Sequence, residues 1–227
     1  MKLKGSLEYF TNTATLLKRS YSMYGKFIVI EGIDGAGTTT QSEMLFDYFI
    51  CQNIKSHLTY EPSSGPIGNL IREIFKGRIL VTNDELLFDK QLAYLFAADR
   101  HDHLYNPIDG IENILSQNIN VICTRYFFSS YVYHSRTKKE REFLYNLNKE
   151  FRKPDLIIYL DNPIEVSMER MSNRMVKDTY ENFRKLKQVK DNYDTVIEEY
   201  NGNVTRILAD QPVNIIHQKI VNAVLSL

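Results

Sequence analysis

Short apolar runs alternate along the chain with longer segments in which apolar positions recur every three or four residues. Short apolar runs are typical of buried strands, and the longer spacing is typical of helices. Their alternation predicts a parallel sheet with helices on both faces. Five strands are predicted, at residues 26–30, 56–60, 120–124, 155–160 and 204–208. We therefore expect a three-layer α/β domain.

The segments between the strands predict the helices. Asn83 is a plausible N-cap for one of them, because Asp84 and Glu85 would fill its first turn. Pro107 suits the first turn of another. The charged stretch 136–141 could be a loop that interrupts a longer helix. The predicted helices cover residues 38–52, 65–76, the segment after Asn83, 106–117, 129–151, 164–172, 180–200 and 213–227.

Composition is that of an ordinary globular protein, with 43% hydrophobic and 25% charged residues. The 28 basic and 28 acidic residues give zero net charge, which argues against a broad nucleic-acid surface. Two cysteines, Cys51 and Cys123, are too few for a disulfide framework and fit a cytoplasmic compartment. No apolar run approaches the ~18 residues of a membrane helix. We expect neither nucleic acid nor membrane as a partner.

Residues 1–22 form a separate segment that is mildly basic and rich in Ser and Thr. They lack the apolar stretch of a secretory signal. An organelle transit segment and a disordered or loosely packed extension are both open interpretations. We expect a single domain over residues 23–227.

A glycine-rich segment joins the first predicted strand to the first predicted helix. Gly32 and Gly37 have the spacing of the phosphate-binding loop G-x-x-x-x-G-K-[ST]. Glycine lets the backbone turn tightly beside phosphate oxygens, and amides at a helix N-terminus point at the anion. We therefore predict that this loop binds the phosphates of ATP. The predicted residues are Gly32, Ile33, Asp34, Gly35, Ala36, Gly37, Thr38, Thr39 and Thr40.

Two threonines decide the chemistry of the loop. Thr38 stands where the motif has a lysine, and it offers a neutral donor in place of a positive charge. Thr39 occupies the position whose hydroxyl normally reaches Mg²⁺, so it is the predicted metal ligand. A glycine-rich turn without any ligand is the alternative that the loop alone leaves open.

Four further segments follow in a fixed order. They are TYEP at residues 59–62, LFAADR at 95–100, TRYFFSSYVY at 124–133, and the charged stretch 170–193. Together with the loop, they resemble the thymidylate kinase family of P-loop nucleoside monophosphate kinases. The corresponding family motifs are T-R-E-P, L-F-A-A-D-R and D-R-Y-x-x-S-S-x-A-Y. The resemblance runs from about Gly25 to the C-terminus.

The resemblance implies a P-loop fold with a small lid at about residues 172–180. It also implies transfer of phosphate from ATP to dTMP, with Mg²⁺ as cofactor and a homodimer as the assembly. Phe96 would stack on the thymine, and Arg100 and Arg125 would hold the monophosphate. The other implied substrate-binding residues are Asp34 and Tyr133 at the sugar, Ser130 at the base, and Glu61 in the second segment.

Three positions depart from the family pattern. Tyr60 replaces an arginine, Thr124 replaces an aspartate expected near the metal, and Thr38 replaces the loop lysine. We hypothesise that Arg174 or Lys177 of the lid supplies the missing charge, with Arg174 as the catalytic candidate beside Arg100 and Arg125. A solvated basic stretch is the alternative for the lid.

Alternatives also remain for the acceptor site and for the function. Phe96 could be a core residue, Arg100 could pair with a nearby acid, and Tyr131 could pack on a helix face. The chain could be a deoxynucleoside kinase, although an acceptor without phosphate needs no pair of arginines. It could also be a nucleotide-binding protein that has lost catalysis. We expect the histidines of His101-Asp102-His103 to face solvent or to lie at a helix end, and not to bind a metal.

Overall fold

Five parallel strands form the centre of the computed structural model, which describes residues 24–172 and 179–227. Their order across the sheet is β2-β3-β1-β4-β5. This confirms the predicted α/β fold with a five-stranded parallel sheet. The strands are β1 (Phe27–Gly32), β2 (Ser56–Tyr60), β3 (Asn120–Thr124), β4 (Leu156–Asp161) and β5 (Val204–Leu208).

Helices connect the strands and cover the sheet. No helix in the described ranges is long and apolar enough to cross a membrane. The helices are α1 (Thr38–Cys51), α2 (Pro66–Phe75), α3 (Glu85–Tyr105), α4 (Ile111–Ser116), α5 (Phe127–Tyr133), α6 (Lys138–Asn148), α7 (Ile164–Ser172), α8 (Thr179–Glu199) and α9 (Val213–Leu225).

The main core lies on both faces of the sheet. Every residue of β1 and of β4 is buried. A central parallel strand covered by helices on both faces has no solvent side, so its sequence is apolar throughout instead of alternating. This is why the apolar runs locate these strands well. The exceptions are Glu31 and Asp161, two carboxylates at the buried C-terminal ends of β1 and β4.

Two predicted helix starts are wrong. The N-cap of α3 is Asp84 and not Asn83, because the Asp84 carboxylate accepts a hydrogen bond from the Leu87 amide at 3.0 Å. Helix α4 begins at Ile111 and not at Asn106. The Asn106 side chain accepts a hydrogen bond from the Ile108 amide at 2.9 Å, and such local bonds compete with helix formation.

The predicted helix 129–151 is two helices. Helix α5 ends at Tyr133, and α6 begins after Thr137 with a capping box, in which Thr137 and Glu140 each bond the other's backbone amide. Lys138 to Arg141 therefore form the first turn of α6 and are not a loop. A capping box satisfies two amides that a helix start otherwise leaves open.

The C-terminal ends of three strands meet at one edge of the sheet. Thr124 at the end of β3 pairs with Ile30 of β1 on one side and with Tyr60 of β2 on the other. The segments that follow these strands therefore lie side by side. Ligands of open α/β sheets bind at this edge.

Candidate active site

The loop between β1 and α1 has the backbone of an anion site. Gly37 is the N-cap of α1 with φ 96°, and no side chain caps this helix. The first amides of α1 are therefore left for a ligand. Gly35 has φ 80°, and a Cβ there would lie 2.6 Å from the Ser167 carbonyl of α7. Only glycine combines that backbone with such a close approach.

The three threonines at the start of α1 face different surroundings. Thr38 is buried, with its Cγ2 3.3 Å from the position of a Cβ on Gly32, so its side chain points into the protein. Thr39 and Thr40 are exposed. Exposure of Thr39 fits the predicted role at Mg²⁺, a cation that takes oxygen ligands and often only one or two from the protein.

Arg170 of α7 contacts backbone carbonyl groups of the phosphate loop. Its guanidinium donates to the Gly35 oxygen at 3.4 Å and to the Ala209 oxygen at 3.0 Å. It therefore braces the loop against the segment after β5. Arg174, Lys177 and most of the predicted lid lie outside the described residues, as does the extension 1–22.

Arg125 follows β3 and turns its side chain to the loop. Its Nη2 donates to the Asp34 carboxylate at 2.6 Å, and its Nη1 donates to the Ser129 hydroxyl at 3.1 Å. Its backbone has φ 66°, a left-handed conformation that is uncommon outside glycine. The Arg125 amide donates to the Ile30 oxygen at 2.9 Å, which holds this turn to β1. Strained residues of this kind cluster at functional sites.

Tyr133 completes this group of side chains. Its ring centroid lies 5.2 Å from the Arg125 Cζ, and its hydroxyl accepts a hydrogen bond from the Asp34 amide at 3.1 Å. Burial raises the pKa of Tyr133, so the phenol stays neutral at physiological pH. The structure thus brings together Asp34, Arg125 and Tyr133, three residues predicted to meet one nucleotide.

Glu31 organises the start of α5 and was missed by the sequence reasoning. Its Oε1 accepts from the Tyr126 amide at 2.7 Å, and its Oε2 accepts from the Ser129 and Tyr193 hydroxyls, each at 2.8 Å. Burial raises the pKa of this carboxyl. A charged residue inside an apolar run just before the glycine loop was the available signal.

Arg100 is buried in an ion pair, as the alternative interpretation allowed. Its Nη2 lies 2.5 Å from the Glu61 carboxylate, and both side chains are almost fully buried. The Ser130 hydroxyl accepts from Nη2 at 3.2 Å, and the buried Asn148 amide oxygen accepts from Nη1. Arg100 and Arg125 therefore contact consecutive serines of α5. Of the two, Arg125 is the more exposed, at 20% of its side chain.

The segment after β2 is held by charged neighbours. Glu61–Pro62 is a cis peptide. The buried Asp99 carboxylate accepts from the Ser63 amide at 2.7 Å and from its hydroxyl at 2.6 Å. The Arg72 guanidinium lies 5.2 Å from the Tyr60 ring centroid and donates to the Ser63 oxygen at 2.6 Å. A cation from α2 therefore lies beside the tyrosine that replaces the family's arginine.

Phe96 lies one helical turn before Arg100 on α3. Its ring is partly buried, 5.5 Å from the His134 ring and 6.2 Å from the Phe75 ring. It is neither a fully buried core residue nor an isolated surface one. An aromatic face in this setting offers stacking area to a base.

Two further expectations concern polar residues near this edge. The Thr124 hydroxyl, in place of the family's aspartate, donates to the Ser42 hydroxyl at 2.8 Å and so joins β3 to α1. His103 lies in the last turn of α3, at a helix end as expected, and its Nε2 is 2.7 Å from the Thr59 hydroxyl. No cluster of metal-ligating residues occurs within 24–172 and 179–227.

Comparison with known proteins finds the same family along most of the chain. The family model described as thymidylate kinase matches residues 30–220. A Treponema pallidum relative is 36% identical over 86% of this chain and 93% of its own length. A Methanococcus aeolicus relative is 39% identical over 86% and 94%, and one from Methanocaldococcus jannaschii is 39% identical over 77% and 83%. The names of all three include thymidylate kinase.

Proposed function

The chain belongs to the thymidylate kinase family, and we propose that it transfers the γ-phosphoryl group of ATP to dTMP, giving dTDP and ADP. The observation that carries the proposal is the contact between Arg125 and Asp34. It joins a glycine-lined loop for one nucleotide to an arginine suited to the phosphate of another.

The loop Gly32 to Thr40 would bind the ATP phosphates through its backbone amides. Mg²⁺ would lie near the exposed Thr39, where it would neutralise phosphate charge. Thr124 does not supply the carboxylate that stands at this position of the family motif, so this position offers the metal no anionic ligand. Oxygens of the nucleotide and water would complete the coordination.

In the acceptor site, Phe96 would stack on the thymine and Ser130 would face the base. Asp34 and Tyr133 would meet the sugar. Arg125 would hold the monophosphate directly, because it is the more exposed of the two arginines. Arg100, fixed by Glu61, would support the same phosphate from α3.

The reaction needs no covalent enzyme intermediate. A phosphate oxygen of dTMP attacks the γ-phosphorus in line, and the bond from that phosphorus to the β–γ bridging oxygen breaks as ADP leaves. Catalysis is then positioning and charge neutralisation by the loop and the arginines. We include Arg174 or Lys177 as the lid cation that replaces the loop lysine.

A coupled ADP-release assay tests the function. We expect ADP release with dTMP, less with dUMP, and little with dCMP, dGMP or dAMP. Release driven by thymidine instead of dTMP would identify a deoxynucleoside kinase. Thermal stabilisation by dTMP without ADP release would identify a binding protein that lacks catalysis.

The proposed homodimer, in a cytoplasmic compartment, has a candidate surface. Large apolar side chains are exposed from α2 to the start of α3: Leu70, Phe75, Ile79, Leu80, Leu86 and Leu87. Exposed apolar side chains concentrated in one segment are candidates for an interface, and a twofold dimer is the commonest assembly. Light scattering should report a dimer that Leu87→Asp converts to a monomer. A monomeric wild-type protein would contradict the assembly and leave the assay above unaffected.

A further inference from the structure

A cavity lies on the side of α5 away from the acceptor groups. Its volume is about 730 Å³, which is ample for a nucleotide. Helix α5, helix α6 and the C-terminal end of α8 enclose it. Its lining contains none of the loop residues 32–40 and none of Phe96, Arg100, Arg125 and Tyr133.

The floor of this cavity is aromatic. Phe127, Phe128 and Tyr131 of α5 are buried there, and Tyr200 of the segment after α8 packs edge-on against Phe128 at 4.9 Å. Tyr145 of α6 stands at the rim with 58% of its surface exposed. The buried rings form the base of the cavity, whereas Tyr145 and the partly exposed Tyr200 keep ring surface on which a base of any identity could stack.

The rim of the cavity is basic. Lys138, Arg141, Lys149 and Lys153 line it, against the two carboxylates Glu142 and Glu199. None of these four cations forms an ion pair with a residue in the described part of the chain. Their charge is therefore available to an anion. An aromatic floor beneath unpaired cations fits a ligand that joins a ring to an anionic chain.

Asn148 connects this cavity to the acceptor site. It lines the cavity, is 2% exposed, and accepts the hydrogen bond from Arg100. Helix α5 separates the two spaces: Phe127 and Tyr131 face the cavity, whereas Ser129 and Ser130 contact Arg125 and Arg100. A ligand in the cavity would thus lie one side chain away from the arginine that pairs with Glu61.

We propose that this cavity is a second nucleotide site, which binds a nucleoside polyphosphate with its base against Tyr145 and Tyr200 and its phosphates on the basic rim. The site does not depend on the proposed kinase activity, because it can be measured without turnover. Tight binding is expected to require both the base and the phosphates of the ligand, because the aromatic residues contact only the base and the basic rim contacts only the phosphates.

The absence of tryptophan from the chain makes the proposal directly testable. Tyr145→Trp places a single fluorescent reporter at the rim. The protein is first saturated with a bisubstrate inhibitor in which adenosine and thymidine are joined through five phosphates, which fills both active-site positions. It is then titrated separately with dTTP, ATP, thymidine and inorganic triphosphate. Ile50→Trp, on an exposed part of α1 outside the cavity, is the matched reporter.

We expect a saturable fluorescence change with dTTP or ATP, and binding weaker by about tenfold or more for thymidine and triphosphate alone. Arg141→Glu with Lys149→Glu, in the Tyr145→Trp background, should weaken nucleotide binding by a similar factor, whereas Lys55→Glu, an exposed charge reversal before β2, should not. The proposal is overturned if neither nucleotide gives a saturable change. It is also overturned if the Ile50→Trp reporter responds equally, or if the Arg141→Glu/Lys149→Glu double variant binds nucleotide as tightly as the Lys55→Glu control.

Discussion

Replacement of Arg125 by alanine separates the proposed function from the fold. A hydrogen bond to a charged group contributes about 1.5–3 kcal/mol. An arginine fork that makes two such bonds to the dTMP phosphate should therefore contribute about 3–6 kcal/mol. Loss of that amount lowers kcat/KM for dTMP by roughly 100-fold to 30,000-fold. Arg125→Lys keeps the charge but loses the fork, so its loss should be smaller, about tenfold.

Stability should change little in the same variant. The Asp34 carboxylate paired with Arg125 is 54% exposed, and pairs of this kind contribute about 0–1 kcal/mol. For a domain of this size, that lowers Tm by no more than about 2–4 °C. The positive φ is equally unfavourable for arginine and alanine, so it adds no difference between them.

The measurement pairs the ADP-release assay over a range of dTMP concentrations with a thermal unfolding curve for each variant. Arg136→Ala is the matched control, because Arg136 also forms exposed ion pairs, with Glu85 and Asp89 of α3, and we assign it no contact with either nucleotide. Wild-type kcat/KM in Arg125→Ala would refute the reasoning. A loss of activity matched by an equally large loss in Arg136→Ala would refute it as well.

Three other predictions concern buried charge and the altered loop. Glu61→Ala leaves the Arg100 guanidinium buried and unpaired, so we expect urea unfolding to show a loss of about 3–5 kcal/mol; an unchanged midpoint would contradict this. Because burial raises the folded-state pKa of Glu31, the stability it contributes is greatest below the ordinary pKa of a glutamate and declines as pH rises through the raised value. The difference in unfolding free energy between wild type and Glu31→Gln should therefore fall from acid to neutral pH, and a flat difference would be inconsistent with that shift. If the lid replaces the loop lysine, Arg174→Ala should lower kcat by about tenfold or more, and adding Thr38→Lys should restore part of that loss. A double variant as slow as Arg174→Ala alone would show that the lid arginine does not substitute for the loop lysine.

Local sequence patterns determined the architecture and the phosphate loop. The apolar runs of β1 and β4 located buried strands because a strand covered on both faces is apolar at nearly every position. The loop was equally readable, since its glycines have to stand at fixed positions between a strand and a helix. Helix boundaries were less readable. Asn83 and Asp84 are both good N-caps. Only the folded backbone decides which of the two side chains accepts a hydrogen bond from a free backbone amide of the first turn.

The tertiary structure alone decided how the charged side chains are paired. Arg100 could be read either as a phosphate ligand or as half of an ion pair, and its partner Glu61 lies 39 residues away. Glu31 was overlooked because its partner Tyr193 is separated from it by 162 residues. Periodicity reports which face of an element is buried, but it carries no information on which polar groups meet when distant segments pack. Pairing of buried polar groups is a property of the packed core, where each one has to find a partner, and it therefore appears only in three dimensions.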